Sequence, residues 1–183
     1  LAFVIHGGGW TGGSKERMNR FADCGTLLKA GISVVAINYR LMRHSGDVVP
    51  PVKAPLHDAA RALQFVRSKA EEWNIDKARI GAAGGSAGAC SSLWLAYHDD
   101  LADPKSDDPV SRESTRLSCA GVRGPQTTLD PAQMKEWTPN SRYGAHAFGK
   151  EDFAQFHGDR ESILPWIAEY SPYALVNASA PPV

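Results

Sequence analysis

The residues best suited to chemistry lie in Gly84-Gly85-Ser86-Ala87-Gly88, a G-x-S-x-G pattern. An apolar strand signal, Arg79 to Ala83, precedes it, and a helical signal from Ala87 to Tyr97 follows. A serine held on a tight strand-to-helix turn presents its hydroxyl outward, and its neighbours must be small so that adjoining backbone can pass. The first amides of the following helix point at the same place, where they and the helix dipole favour negative charge. The chemistry this predicts is attack by Ser86 Oγ on an electrophilic carbon, with donors ready for the oxyanion that forms. Glycine, alanine and serine are common residues, so the pentapeptide gains its meaning from the strand before it, the helix after it and the small neighbours Ala82, Ala83 and Ala89.

A second cluster, His6-Gly7-Gly8-Gly9-Trp10, closes the first strand signal. Three successive glycines leave backbone N–H groups uncovered, able to approach a substrate oxygen closely. The competing reading of a glycine-rich loop after a strand is a phosphate or dinucleotide cradle. Neither G-x-G-x-x-G nor G-x-x-x-x-G-K-[ST] occurs here. His6 reads as an anchor that holds the loop by hydrogen bonds. Trp10 adjoins the loop and is a candidate pocket wall, as is Gly85 beside the serine.

The elements that must position these residues alternate along the chain. Leu1 to Ile5 is a continuous apolar run, as expected of a strand buried on both faces. Ser14 to Lys29 reads as a helix with Met18, Phe21, Ala22 and Leu28 near one face, stopped by Gly31. Ile32 to Asn38 is the next β-branched run. Pro55 to Trp73 is an amphipathic helix in which Leu56, Ala59, Ala60, Leu63, Val66, Ala70 and Trp73 share a face. Leu117 to Val122 is a further strand. Such a β-α-β-α-β-α-β order implies a mostly parallel sheet with helices on both faces, because parallel neighbours need crossover connections. Residues 127–172 break the rhythm with Trp, Tyr, Phe, Pro and Gly and only short helical pieces, Asp130-Pro131 marking one start. This stretch is either a lid-like insertion over a site or a flap packed on its own domain.

With these elements in order, the sequence resembles the α/β-hydrolase superfamily, specifically its hormone-sensitive-lipase-like and feruloyl-esterase-like carboxylesterases. The resemblance is carried by His6 to Trp10, Asn38-Tyr39-Arg40, His57-Asp58 with Ala59 to Arg67, Asn74-Ile75-Asp76 with Arg79-Ile80, and Gly84 to Ala89. It runs from Leu1 to about Val122 and resumes at Ser171-Pro172 and Ala180 to Val183. It implies a three-layer α/β/α sandwich, an oxyanion hole made by Gly8, Gly9 and Ala87 with Gly7 as the third glycine, and hydrolysis of a carboxylic ester through an acyl-enzyme on Ser86. No metal or organic cofactor is implied. An amidase or peptidase of the same fold, or a binding protein that keeps the fold without the triad, remains open.

In this fold the triad runs Ser, then Asp or Glu, then His. The chain starts without methionine directly on a strand and stops at Pro181-Pro182-Val183, which looks like the entry to another strand. It is therefore read as an internal piece, a partial catalytic domain over 1–183 truncated at both ends, nearly inactive alone, with the triad acid and histidine expected after Val183. Among the histidines after Ser86, His98 lies about 18 Å along the nucleophile helix, and His146 and His157 fall in the irregular insertion. Asp130, Asp152 and Asp159 read as caps or surface groups. His57 and Asp58 read as the start of a helix, and Tyr39-Arg40 as a loop anchor through an ion pair.

The composition fits a single domain whose partner is a small molecule. Twenty basic and 20 acidic residues balance, without a like-charge block, which argues against nucleic acid or an anionic membrane surface. No apolar run approaches the roughly 20 residues of a membrane span. The 3 cysteines, Cys24, Cys90 and Cys119, lack metal-ligand spacing and read as small core residues. Compartment and oligomeric state leave no mark on the sequence.

Overall fold

The computed structural model describes residues 1–140, 144–149 and 160–183. Its centre is a parallel sheet of 4 strands in the order β2-β1-β3-β4, with β1 Ala2–Ile5, β2 Val34–Ile37, β3 Gly81–Gly85 and β4 Cys119–Arg123. Helices flank it: α1 Cys24–Lys29, α2 Lys53–Ser68, α3 Ala87–Tyr97, α4 Pro131–Trp137, α5 Arg160–Tyr170 and α6 Pro172–Leu175. None of the helices among the described residues is long and apolar enough to cross a membrane.

The topology places the site. From β1 the chain crosses to β2 on one side, then returns to lay β3 on the other. Loops leaving β1 and β3 therefore diverge at one crevice, the switch point where parallel α/β sheets bind ligands. Register brings Ile5 opposite Gly84, so the residues that follow, His6 to Trp10 and Gly85-Ser86, emerge side by side at the carboxyl edge.

β3 is built from Gly and Ala alone, and α3 packs tightly against it, with every residue from Ala87 to Ala96 buried. A helix apolar on all sides belongs in a core, and Trp94, Cys90 and Leu93 occupy it here. α2 buries Leu56, Ala59, Ala60, Leu63 and Val66 on one face, as its periodicity predicts.

Several expectations are corrected. Ser14 to Lys29 is not one helix: a 3-10 segment, Lys15–Arg20, gives way to α1, because the Asp23 carboxylate accepts from Thr26 N–H and starts a new helix there. Neither piece buries a residue, and Leu28 is 60% exposed. α2 begins at Lys53 rather than Pro55 and ends at Ser68, leaving Trp73 beyond it and exposed. Asp58 is therefore inside the helix, not at its start. β3 lies two residues later than the apolar run suggests, because pairing with β1 continues into the glycines. Cys119 is exposed on the edge strand β4, whereas Cys90 is fully buried and its thiol pKa is raised by desolvation. In the insertion, α5 is a regular helix of 11 residues. Part of that insertion, with Asp152, His157 and Asp159, lies outside the described residues.

Candidate active site

Ser86 is exposed while Gly84, Gly85, Ala87, Gly88 and Ala89 around it are buried. Its backbone sits at φ 53 and ψ −123, a left-handed state that β-carbon-bearing residues rarely adopt. Two bonds lock the turn: Ser86 N–H donates to Arg123 O at 3.0 Å, and Ser86 O accepts from Cys90 N–H at 3.0 Å. The hydroxyl is thus pushed out at the N-terminus of α3, where Ala87 opens the first turn and its N–H has no partner within the helix.

The glycine loop meets this turn at close range. A Cβ on Gly7 would lie 2.5 Å from Gly85 O and 3.4 Å from Ser86 Cβ, so only glycine fits there. Gly8 turns at φ 122, and its carbonyl is drawn inward by Thr11 N–H at 3.0 Å, Gly12 N–H at 3.1 Å and the Thr11 hydroxyl at 3.1 Å. Gly9 follows, also at positive φ, with His146 Nε2 3.8 Å from where its Cβ would stand. The structure therefore brings Gly7, Ser86 and Ala87 together, with Gly8 and Gly9 continuing the same loop.

The supports of the loop are side chains. His6 is buried, its Nδ1 2.8 Å from Gly7 O, and its ring stacks on Tyr39 at 4.2 Å. The Tyr39 hydroxyl donates to His6 O at 2.8 Å, and burial raises its pKa far above the phenol range. Desolvation holds the His6 pKa below the usual imidazole range, which favours the neutral ring. His6 is an anchor, as its place in the sequence suggests. Trp10 is fully buried at φ 57; its Nε1–H donates to Ser91 Oγ at 3.0 Å, and its ring stacks on His146 at 5.7 Å. Gly85 is covered by Phe21, whose Cδ1 would stand 2.3 Å from a Cβ there.

Ser86 opens on a cavity of about 260 Å³ lined with Gly124, Pro125, Gln126 and Met134. None of these four is evident from residue types alone. They reach the site because Gly124 turns the chain, at φ 56, immediately after β4, the strand paired with β3. The only advance signal is position: a loop at the carboxyl edge of the strand next to β3.

The other conspicuous residues are placed elsewhere. Arg40 grips Asp58 through Nε and Nη2, the shortest contact being 2.7 Å, and its N–H donates to the same carboxylate at 2.8 Å. Burial pushes the Asp58 pKa up, but the Arg40 hydrogen bonds and charge together outweigh it and hold it below the usual range. Tyr39-Arg40 is thus a loop anchor, as expected. His57 lies among Trp94 and Tyr170, and His98 contacts Asp99 O and Glu169. Asp130 caps α4 through Ala132 N–H, as expected, and also pairs with Arg160 at 2.7 Å. At the end of the chain, Pro182 O accepts from Ala120 N–H at 3.0 Å, alongside β4.

Known proteins are similar to this chain in sequence and fold. The sequence model of the family described as BD-FAE matches residues 1–183. The chain is 28% identical over 181 residues to the esterase cest-33 of Caenorhabditis elegans, covering 94% of this chain and 29% of that protein. It superposes on an acetyl ester-xyloside bifunctional hydrolase from Caldicellulosiruptor lactoaceticus with a TM-score of 0.71 and 30% identity, covering 100% of this chain and 59% of that one. It superposes similarly on Thermogutta terrifontis esterase 2 with propionate bound, with a TM-score of 0.69 and 26% identity over 99% of this chain and 57% of that one. The chain thus spans less than two thirds of the length of these relatives.

Proposed function

Because the chain belongs to the BD-FAE family, among the α/β-hydrolase esterases of the hormone-sensitive-lipase and feruloyl-esterase type, we propose that it hydrolyses carboxylic esters through an acyl-enzyme on Ser86. The observation that carries this reading is the convergence of the strained, exposed Ser86 with Gly7, where an added Cβ would stand 3.4 Å from Ser86 Cβ. Ser86 Oγ attacks the ester carbonyl while the N–H groups of Ala87, Gly8 and Gly9, with Gly7 beside them, stabilise the oxyanion. The alcohol leaves, and water releases the acid from Ser86. Trp10 serves by bracing the loop from beneath, and Gly85 by leaving room for Phe21 against the nucleophile turn.

Serine needs a base. His6, His57 and His98 are engaged in the contacts described, and His146 packs on Trp10 beside Gly9. We place the histidine and its carboxylate partner after position 183, in the order usual for the fold. Residues 1–183 then form one partial catalytic domain, and the insertion of 127–172 supplies a wall of the site through Met134. Two neighbours support small acyl groups and carbohydrate esters as substrates: one is named for acetyl ester and xyloside hydrolysis, the other holds propionate.

The test is turnover by the full-length protein of phenyl acetate against the matched amide, acetanilide. The ester is expected to be the better substrate by at least about 10²-fold in kcat/KM, an excess that corresponds to roughly 2.7 kcal/mol. A preference for the amide would instead mark a formamidase-like or peptidase-like enzyme. Absence of both activities, with the protein folded, would mark a binding protein.

A further inference from the structure

Gln126 has a place in the site that esterolysis alone does not explain. Its main chain is fixed just downstream: Thr127 O accepts from Tyr173 N–H at 2.8 Å, and Leu129 N–H donates to Ser171 Oγ at 3.0 Å. Thr128 Oγ1 accepts from Asp130 N–H at 3.1 Å. Gln126 is 7% exposed and is among the residues lining the cavity of about 260 Å³ on which Ser86 opens. Its Oε1 is buried and has no hydrogen-bond partner among the described residues.

A structural glutamine in this protein looks different. Gln64 on α2 is 6% exposed, and its Nε2 donates to Glu113 O at 2.9 Å and Ser111 O at 3.2 Å. A buried amide with an unmet acceptor is costly where nothing answers it, and a leucine or methionine would fill the same volume without that cost. The terminal torsion of glutamine is soft, so an amide whose oxygen no protein donor holds can turn that oxygen onto a group in the cavity.

We propose that Gln126 is a specificity-determining residue whose Oε1 accepts a hydrogen bond from a hydroxyl on the substrate, within a few bonds of the scissile ester. A hydroxyl next to the ester, on its acid or on its alcohol, is then the feature that Gln126 reads. A cavity of about 260 Å³ suits one small group at the carbonyl rather than a long chain. This inference rests on the ester-hydrolase reading of Ser86.

The test compares kcat/KM of the full-length protein on two matched pairs, trans-2-hydroxycyclohexyl acetate with cyclohexyl acetate, and ethyl lactate with ethyl propionate. The first pair places the hydroxyl on the alcohol, the second on the acid. The native protein is expected to favour the hydroxylated member of at least one pair by about tenfold or more. In Gln126→Met and Gln126→Leu that ratio falls below about twofold, because the hydroxyl then meets no acceptor. A purely structural role would lower both rates together and leave the ratio intact. An intact ratio in the variants, or no preference in the native protein, overturns the assignment of Gln126 while the esterase reading stands. Failure to hydrolyse any of the four esters overturns both.

Discussion

At φ 53 and ψ −123, Ser86 holds a conformation that costs on the order of 1–3 kcal/mol and persists only where its surroundings over-determine it. Here the surroundings are the bonds to Arg123 O and from Cys90 N–H, and the close approach of Gly7. Gly7 gives a direct handle on the proposed oxyanion loop. In Gly7→Ala the new Cβ would stand 2.5 Å from Gly85 O, backbone that cannot swing away, so the loop must withdraw from Ser86. Loss of oxyanion donors acts on the transition state, so kcat is expected to fall about 10²–10³-fold. Steady-state kinetics on phenyl acetate would check it; an unchanged kcat would remove the loop from the mechanism. These residues were readable in advance because the strand before the pentapeptide, the helix after it and its small neighbours give common residues a meaning they lack alone. Gln126 was not, since nothing in its type or spacing distinguishes it from a surface glutamine.

Among the elements, α2 does more than its apolar stripe announces. Arg61, Gln64 and Arg67, spaced one turn apart, reach across to the irregular stretch that joins α3 to β4. Arg67 is buried, and its two terminal nitrogens donate to Lys77 O and Arg116 O. Arg67→Met keeps the stem but leaves both carbonyls unmet, with an expected loss of about 1.5–3 kcal/mol in stability by urea unfolding. A change below about 0.5 kcal/mol would show that solvent replaces those bonds. The strands, α3 and the core face of α2 were legible because continuous apolar runs and a 3.6-residue period leave little choice. The break at Asp23 and the pinning by Arg67 were not, because each depends on one side chain finding a backbone partner. In the same way, α5 took shape from its packing of Ile163 and Ile167 into the core rather than from a strong pattern of its own.

For the molecule as a whole, three desolvated histidines, His6 buried and His57 and His146 half-buried, set a common acid limit. His6, His57 and His146 all have pKa values lowered from 6.5 by desolvation. Between that value and their lower folded values the unfolded chain binds more protons than the folded one, so stability falls as pH drops through this window. The combined loss is expected to be about 1–3 kcal/mol between pH 7.5 and 5.5. Thermal melts across that range would show a falling midpoint; a midpoint that rises on acidification would contradict the burial of these rings. Above the window the three rings are neutral in both states and contribute no slope.

The same whole-molecule architecture places Ser86 at a switch-point crevice between β1 and β3. The most direct test is to treat the full-length protein with a fluorophosphonate and map the adduct by peptide mass spectrometry. We expect one adduct per chain, on Ser86, absent from Ser86→Ala. No adduct on the folded native protein, or an adduct that persists in Ser86→Ala, would contradict the assignment of Ser86 as the nucleophile.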